Sequence, residues 1–317
     1  MQRYLIRRVL ALIPTLLGIS LVVFLVIHLI PGDAISAMIG TTYKLTDAQA
    51  AALRAYFGLD KPLWQQYVNW IGAALQGNLG FSVRSGQPVL TEILHRFPVT
   101  LELTVLSLII ALLLGLPVGV LSATRSNSGV DLFGRVFALI GLTLPNFWLG
   151  TLIILVLSTV FGILPNSGAY AGLFQDPVHN LEQLIFPAIT LGFAFTASVM
   201  RTTRSAMLEV LRQDYVRTAR SKGLNERRVV LRHALRNALI PVLTITGVEF
   251  GYLLGGAVIV EEIFALPGIG TLILNGISQR DYAVVQGAIL FVAANFVLIN
   301  LLVDVAYTLV DPRVRYE

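Results

Sequence analysis

MRTTRSAMLEVLRQDYVRTARSKGLNERRVVLRHALRNALIPV, residues 200–242, is the stretch on which the reading of this chain turns. Between Arg201 and Pro241 it carries ten Lys and Arg residues, amid a sequence that is otherwise largely apolar. A helical run from Leu208 to Lys222 is predicted to stop at Gly223, where a residue without Cβ takes the left-handed turn that closes a helix. Asn225 then caps a second helix, with Glu226 in its first turn beside the positive end of the dipole. Pro241 is predicted to close that helix and open the next apolar segment. On the first helix Leu211, Tyr215 and Ala219 recur every four residues as one face. On the second, Arg228, Arg232 and Arg236 form a basic stripe opposite Val230, Leu231, Ala234 and Leu235. Two short helices joined by a tight turn outside a bilayer form a protruding handle.

The rest of the chain supplies the bilayer. Of 317 residues, 56% are apolar and only 13% charged, and the mean hydropathy is +0.76. Such values belong to membrane proteins rather than soluble domains. The fold expected is all-α and polytopic, with six transmembrane helices in one transmembrane domain over residues 1–317. The first span is Val9–Ile30, about 33 Å long at 1.5 Å per residue, with Pro14 inside it. Arg3, Arg7 and Arg8 precede it, as in a signal peptide. Its length, and the lack of a small-residue cleavage site, mark a retained span. The others are Leu101–Ala123, Val136–Phe161 with Pro145-Asn146 near its middle, Ile185–Met200, Ile240–Ile263 and Val284–Val310. The fourth is short unless it extends into the handle.

Residues 31–100 form a polar segment between the first two spans. Thr46 is predicted to cap a helix reaching Phe57, and Pro62 admits another, Leu63 to Leu75, carrying Trp64, Tyr67 and Trp70. Asn78-Leu-Gly-Phe-Ser82 reads as a turn, and the whole as a small helical cap over the spans. Basic residues orient the chain. The N-terminus, Arg125 and Arg135, the handle, and Arg313 and Arg315 share one side, and the short loops opposite are nearly free of them. Both termini and the handle, residues 201–240, are therefore expected in the cytoplasm, with residues 31–100 outside.

Several chemistries are excluded. The chain has no cysteine, hence no disulfide or thiolate. No G-x-x-x-x-G-K-[ST] occurs and none of the three lysines follows a glycine, so ATP is not bound through a P-loop of this chain. No H-E-x-x-H or nucleophile elbow is present. No metal site is expected, and no nucleic-acid partner. Within the spans, Glu249 carries a charge costing about 2.5–3.5 kcal/mol at the bilayer centre, so it faces protein or water. It reads equally as a group lining a translocation path and as a carboxylate held between helices. Asn146 and Asn295 are the other path candidates, although Asn295 and Asn300 also suit interhelical hydrogen bonds. Asp304 lies near the inner edge, and Glu261-Glu262 at the outer end of the fifth span is expected to be solvated. Gly247, Gly251 and Gly255 give the fifth span a small-residue packing face. Arg228, Arg232 and Arg236 suit anionic lipid headgroups as well as a partner.

Tyr215-Val-Arg-Thr-Ala-Arg-Ser-Lys-Gly223-Leu, followed by His233-Ala-Leu-Arg-Asn237-Ala-Leu-Ile-Pro241, resembles the cytoplasmic "EAA" loop of ABC importer permeases. The closer likeness is to the B-type permease of the dipeptide, oligopeptide, glutathione and nickel importers. Ile30-Pro-Gly-Asp33, Phe57-Gly-Leu-Asp-Lys-Pro62, Leu79-Gly-Phe-Ser82, Val260-Glu-Glu-Ile-Phe264, Pro267-Gly-Ile-Gly270, Arg280-Asp-Tyr282 and Asp311-Pro-Arg313 resemble that group in order and spacing. The resemblance implies the type I importer architecture and a coupling helix docked in an ATPase subunit. Arg217-Thr218-Ala219 stands where the motif has Glu-Ala-Ala, so no salt bridge of that Glu is carried over. Tyr215, Arg217, Thr218, Ala219, Gly223 and Leu224 would bind the partner, supported by His233, Asn237 and Pro241. It also implies a second permease, two ATP-binding subunits that hold ATP and Mg²⁺, an extracytoplasmic binding protein delivering peptides, and a bacterial inner-membrane location, with no cofactor on this chain. The rival reading is a secondary transporter or channel without ATPase partners, with Glu249 as its ion site.

Overall fold

The computed structural model describes residues 2–29, 46, 48, 49, 52, 55, 60–165 and 169–310. Its helices are α1 (Gln2–Leu29), α2 (Leu63–Leu75), α3 (Val89–Thr124), α4 (Gly129–Thr143), α5 (Asn146–Val160), α6 (Pro177–Val210), α7 (Asp214–Ser221), α8 (Glu226–Arg228), α9 (Leu235–Ile263), α10 (Ile269–Ser278) and α11 (Tyr282–Val310), with a π-helical turn Val229–Ala234 between α8 and α9. Among the described residues the only β-type pairing is a bridge between Phe81 and Pro88. Among the described residues five helices are long and apolar enough to cross a bilayer, or six with the bent pair α4–α5 taken as one span. The chain is a multi-pass, all-α membrane protein.

The residues fall into two compact units, Met1–Thr100 with Pro267–Val297, and Leu101–Leu266 with Leu298–Glu317. In the first, Val89, Ile93, Ile269, Leu272, Val284 and Ala288 make the core. Helix α2 lies on α1 as the expected cap: the Tyr67 ring meets Phe24 edge-on at 5.4 Å, and its hydroxyl is 2.8 Å from the Ser20 hydroxyl. Thr46 and Gln49 make the reciprocal pair of a helix start, but the rest of the helix expected to reach Phe57 lies outside the described residues. So do Ile30–Asp33, the Asp311–Arg313 tail, and the side chains of Arg3, Arg7, Arg8 and Asp304.

The second unit is built around α6, whose most apolar stretch is 72% buried against 33% for α3. Helix α6 crosses α3 where glycines remove side chains. A Cβ on Gly115 would stand 2.9 Å from the Thr196 carbonyl, and one on Gly192 2.7 Å from that of Ser107. Close backbone approach of this kind is how membrane helices gain van der Waals contact without help from water. It was expected on α9, where Gly247 and Gly251 are indeed buried but Gly255 faces open space.

Three expected elements differ. The third span is not one helix: α4 and α5 meet at 103°. Pro145 has no N–H to continue the ladder and holds Leu144 extended (φ −74°, ψ 124°), so the helix must end there. The fourth span starts earlier than Ile185, at Pro177, and takes the extension into the handle left open for it, running through Arg201 to Val210. Glu261 is not solvated. It is wholly buried, because with Ala257, Val260 and Phe264 it lies on the inward face of α9, while Glu262 faces out.

Candidate functional site

Two short helices joined at Gly223 occupy the stretch read as the handle, with a different internal construction. The helix expected from Leu208 to Lys222 is broken: α6 ends at Val210, a turn follows, and α7 starts after Gln213, whose backbone is extended (φ −70°, ψ 148°). The break lets α7 fold back so that Val216 and Ala219 pack on Val229, with Val210, Leu211 and Leu224 closing around them. The inward face is therefore Val216–Ala219 rather than Leu211–Tyr215–Ala219, and Tyr215 is left 43% exposed. Burial of Val216, which a four-residue count from Leu211 misses, outweighs one unbroken helix.

At the end of α7 the chain closes as expected. Gly223 has φ +76°, its N–H reaches the Arg220 carbonyl at 2.9 Å, and the Leu224 N–H reaches the Ala219 carbonyl at 3.4 Å. With Leu224 packed beside Ala219, this is a Schellman motif. Nothing lies within 4 Å of a Cβ at Gly223, so the glycine is required by backbone conformation alone. Asn225 accepts from the Arg227 N–H at 3.0 Å as the predicted cap. Across the turn Arg220 grips Glu226 with two bonds, at 3.1 and 2.7 Å, and the carboxylate raises the guanidinium's already high pKa.

Beyond Arg228 the Leu235 N–H reaches back five residues to Val230, so the second helix passes through a π turn that no periodicity announced. Pro241 does not close that helix. It lies inside α9, which begins at Leu235 and runs on to Ile263. Neighbouring groups in a membrane bundle tolerate the one missing bond. Val230 and Ala234 are buried with Ala206, Met207 and Ala238, whereas Arg228, Arg232 and Arg236 are exposed as expected. Leu231, placed opposite that stripe, is itself 49% exposed.

Of the singled-out residues, Tyr215 and Asn237 meet directly: the Asn237 amide donates to the Tyr215 hydroxyl at 2.6 Å, tying α7 to α9. Ala219, Gly223 and Leu224 share the turn. Arg217 and Thr218 face outward, Arg217 with 78% of its side chain exposed and 3.5 Å from Asp214. His233 is half-buried in the π turn. Asn146 starts α5 and Glu249 is half-buried on α9, while Asn295 donates at 2.8 Å to the Phe291 carbonyl of its own helix. Among the described residues no three His, Asp or Glu side chains form a metal-binding group.

Two arrangements went unread. Asp131, wholly buried in the first turn of α4, accepts two bonds from Arg204 at 2.6 and 2.9 Å, one from the Asn127 N–H at 3.0 Å and one from the Ser122 hydroxyl. Arg204 is thus no free member of the basic handle. The Ser128-x-x-Asp131 spacing announces a helix start, but nothing local announces a partner 73 residues away. Elsewhere in this unit, Tyr170 donates to Glu102 and receives from Asn180 at 2.9 Å, and burial pushes its hydroxyl pKa up, with Glu102 adding to the shift.

Residues 115–316 match the family model described as Binding-protein-dependent transport system inner membrane component. Residues 1–104 match the one described as "Binding-prot-dependent transport system membrane comp, N-term". The chain is 41% identical over 339 residues to the Dipeptide transport system permease protein of Escherichia coli (strain K12), covering all of both chains. It is 42% identical over 318 residues to the Glutathione transport system permease protein of the same strain, again covering both completely. A solved structure titled "Crystal structure of an amino acid ABC transporter with histidines" superposes with a TM-score of 0.51 at 18% identity, over 70% of this chain and 94% of that one, a likeness of fold.

Proposed function

The chain belongs to the inner-membrane components of binding-protein-dependent transport systems, and on that premise we propose that its handle is the element gripped by ATPase subunits. It is a permease subunit of an ABC importer, which sets aside the secondary transporter and the channel. Relatives named for dipeptides and for glutathione point to short peptides as cargo.

The observation that carries the coupling role is the handle's two-sidedness. Its inner face is a closed apolar core around Val216, Ala219 and Val229, and its outer face offers Tyr215, Arg217 and Thr218 beside the Gly223 turn. A projection stiffened from behind transmits a push, and a short helix presenting one face suits a groove on a partner. His233, Asn237 and Pro241 support it from the root of α9, Asn237 through Tyr215. Asn146, Glu249 and Asn295 remain the candidates for the path.

In this reading ATP and Mg²⁺ sit on two partner subunits, and this chain carries no cofactor. A second permease completes the pore, and residues 31–100 face an extracytoplasmic binding protein. The basic side, with both termini and the handle, lies in the cytoplasm, where Arg228, Arg232 and Arg236 also meet anionic headgroups. Gly223→Val tests the assignment, because a β-branched residue at φ +76° distorts the turn while meeting no neighbour. The expected result is loss of co-purifying ATPase subunits and of transport. Undiminished co-purification with full transport overturns it.

A further inference from the structure

The Asp131–Arg204 fork is a buried charge pair at the root of the handle that the coupling role above does not use. Arg204 lies six residues before the end of α6, and Asp131 opens α4. Through Asp131 three pieces of chain are joined: the end of α3 by Ser122, the 125–128 turn by the Asn127 N–H, and α6 by Arg204. Between that fork and a second directional bond at the other end of the two helices, the Asn180 amide donating to Glu102 at 2.7 Å, the α3–α6 contact is of another kind. Gly115, Gly119 and Gly192 there meet backbone and small side chains, a smooth surface. Packed helices can slide past one another by one turn on such a surface. A two-pronged guanidinium–carboxylate bond cannot follow, since its geometry is fixed on both partners. Such pairs are weak evidence of stability, and setting register is their best-attested use.

We propose that Asp131 and Arg204 are positioning residues for transport, locking the α3–α4 corner to the root of the handle so that the two move as one body. The inference rests on the handle's being the coupling element.

The natural chain has no cysteine, so labels introduced in pairs report cleanly once the partner subunits carry no reactive cysteine. Ser126→Cys and Ser205→Cys place spin labels on exposed sites either side of the fork in the full complex of two permeases, two ATPases and binding protein. The distance between labels is expected to be the same without nucleotide and in a vanadate-trapped state. A shift of a helical turn, about 5.4 Å, overturns the inference. In parallel, Asp131→Asn is expected to lower transport per ATP about ten-fold, a coupling loss of ordinary size, with the ATPases still bound. The double variant Asp131→Leu with Arg204→Met removes the buried charges together and is expected to assemble and remain uncoupled. If it transports as wild type for each ATP, the pair only fills space and the inference is wrong. ATP-independent uptake by the wild-type complex would instead sink the coupling role itself, whatever the label distances show.

Discussion

Two arginines of the handle each fork to a carboxylate, one within it and one on α4, and the pairs look alike in distance but differ in almost everything else. At its tip Arg220 holds Glu226 at 2.7 Å with both side chains substantially in solvent, 42% and 59% exposed. At its root Arg204 holds Asp131 at 2.6 Å with the carboxylate wholly buried. Water competes with the first pair and salt screens it, so it contributes little beyond orienting the turn. The second has no such competitor. Removing Asp131 strands Arg204, and removing Arg204 leaves the buried carboxylate only Arg135 at 3.7 Å, so similar geometry carries very different consequences. The tip is held by backbone conformation and a small apolar core, and the root by a charge network.

Breaking the root should have the largest effect. Asp131→Asn is expected to cost about 3 kcal/mol, the low end for a buried pair because Arg204 keeps 24% of its side chain exposed. A lowered midpoint of thermal unfolding in detergent reads this, and the double replacement by Leu and Met should recover most of it. Next comes the turn. Gly223→Val should cost about 1–2 kcal/mol by forcing a β-branched residue into the left-handed region, with Gly223→Asn much milder. A loss as large at Gly223 as at Asp131 would contradict the contrast between tip and root. Third, Tyr215→Phe removes the hydroxyl that meets Asn237 and should cost about 1 kcal/mol, seen as faster amide exchange in α7. Smallest is Glu226→Gln, expected at about 0.2–1 kcal/mol and vanishing in high salt. A salt-independent loss there would erase the distinction between the two forks.

Much of the handle was legible because its instructions are local. Gly223 and the Asn225 cap act on their own neighbours and behave as written, whereas Glu226 pairs with Arg220 across the turn. The break after Val210 was not legible, because a helix through Leu211 satisfies every local preference and only the packing of Val216 on Val229 argues against it. Pro145 was read as a feature within a span, yet a residue that also dictates its predecessor's backbone turned the chain through 103°. None of the motifs that carry the resemblance includes Asp131, which sits 84 positions before Tyr215 in sequence and is tied to the handle through Arg204.

Composition and periodicity decided that this chain lives in a bilayer as apolar helices, and that a basic, glycine-hinged pair interrupts them, since hydropathy and capping depend on near neighbours alone. Which face of α7 turns inward, where the glycines of α3 are used, and that Arg204 is tied rather than free were decided only in three dimensions. Those outcomes depend on side chains brought together from distant positions, where burial and charge pairing outweigh any preference a short window of sequence can express.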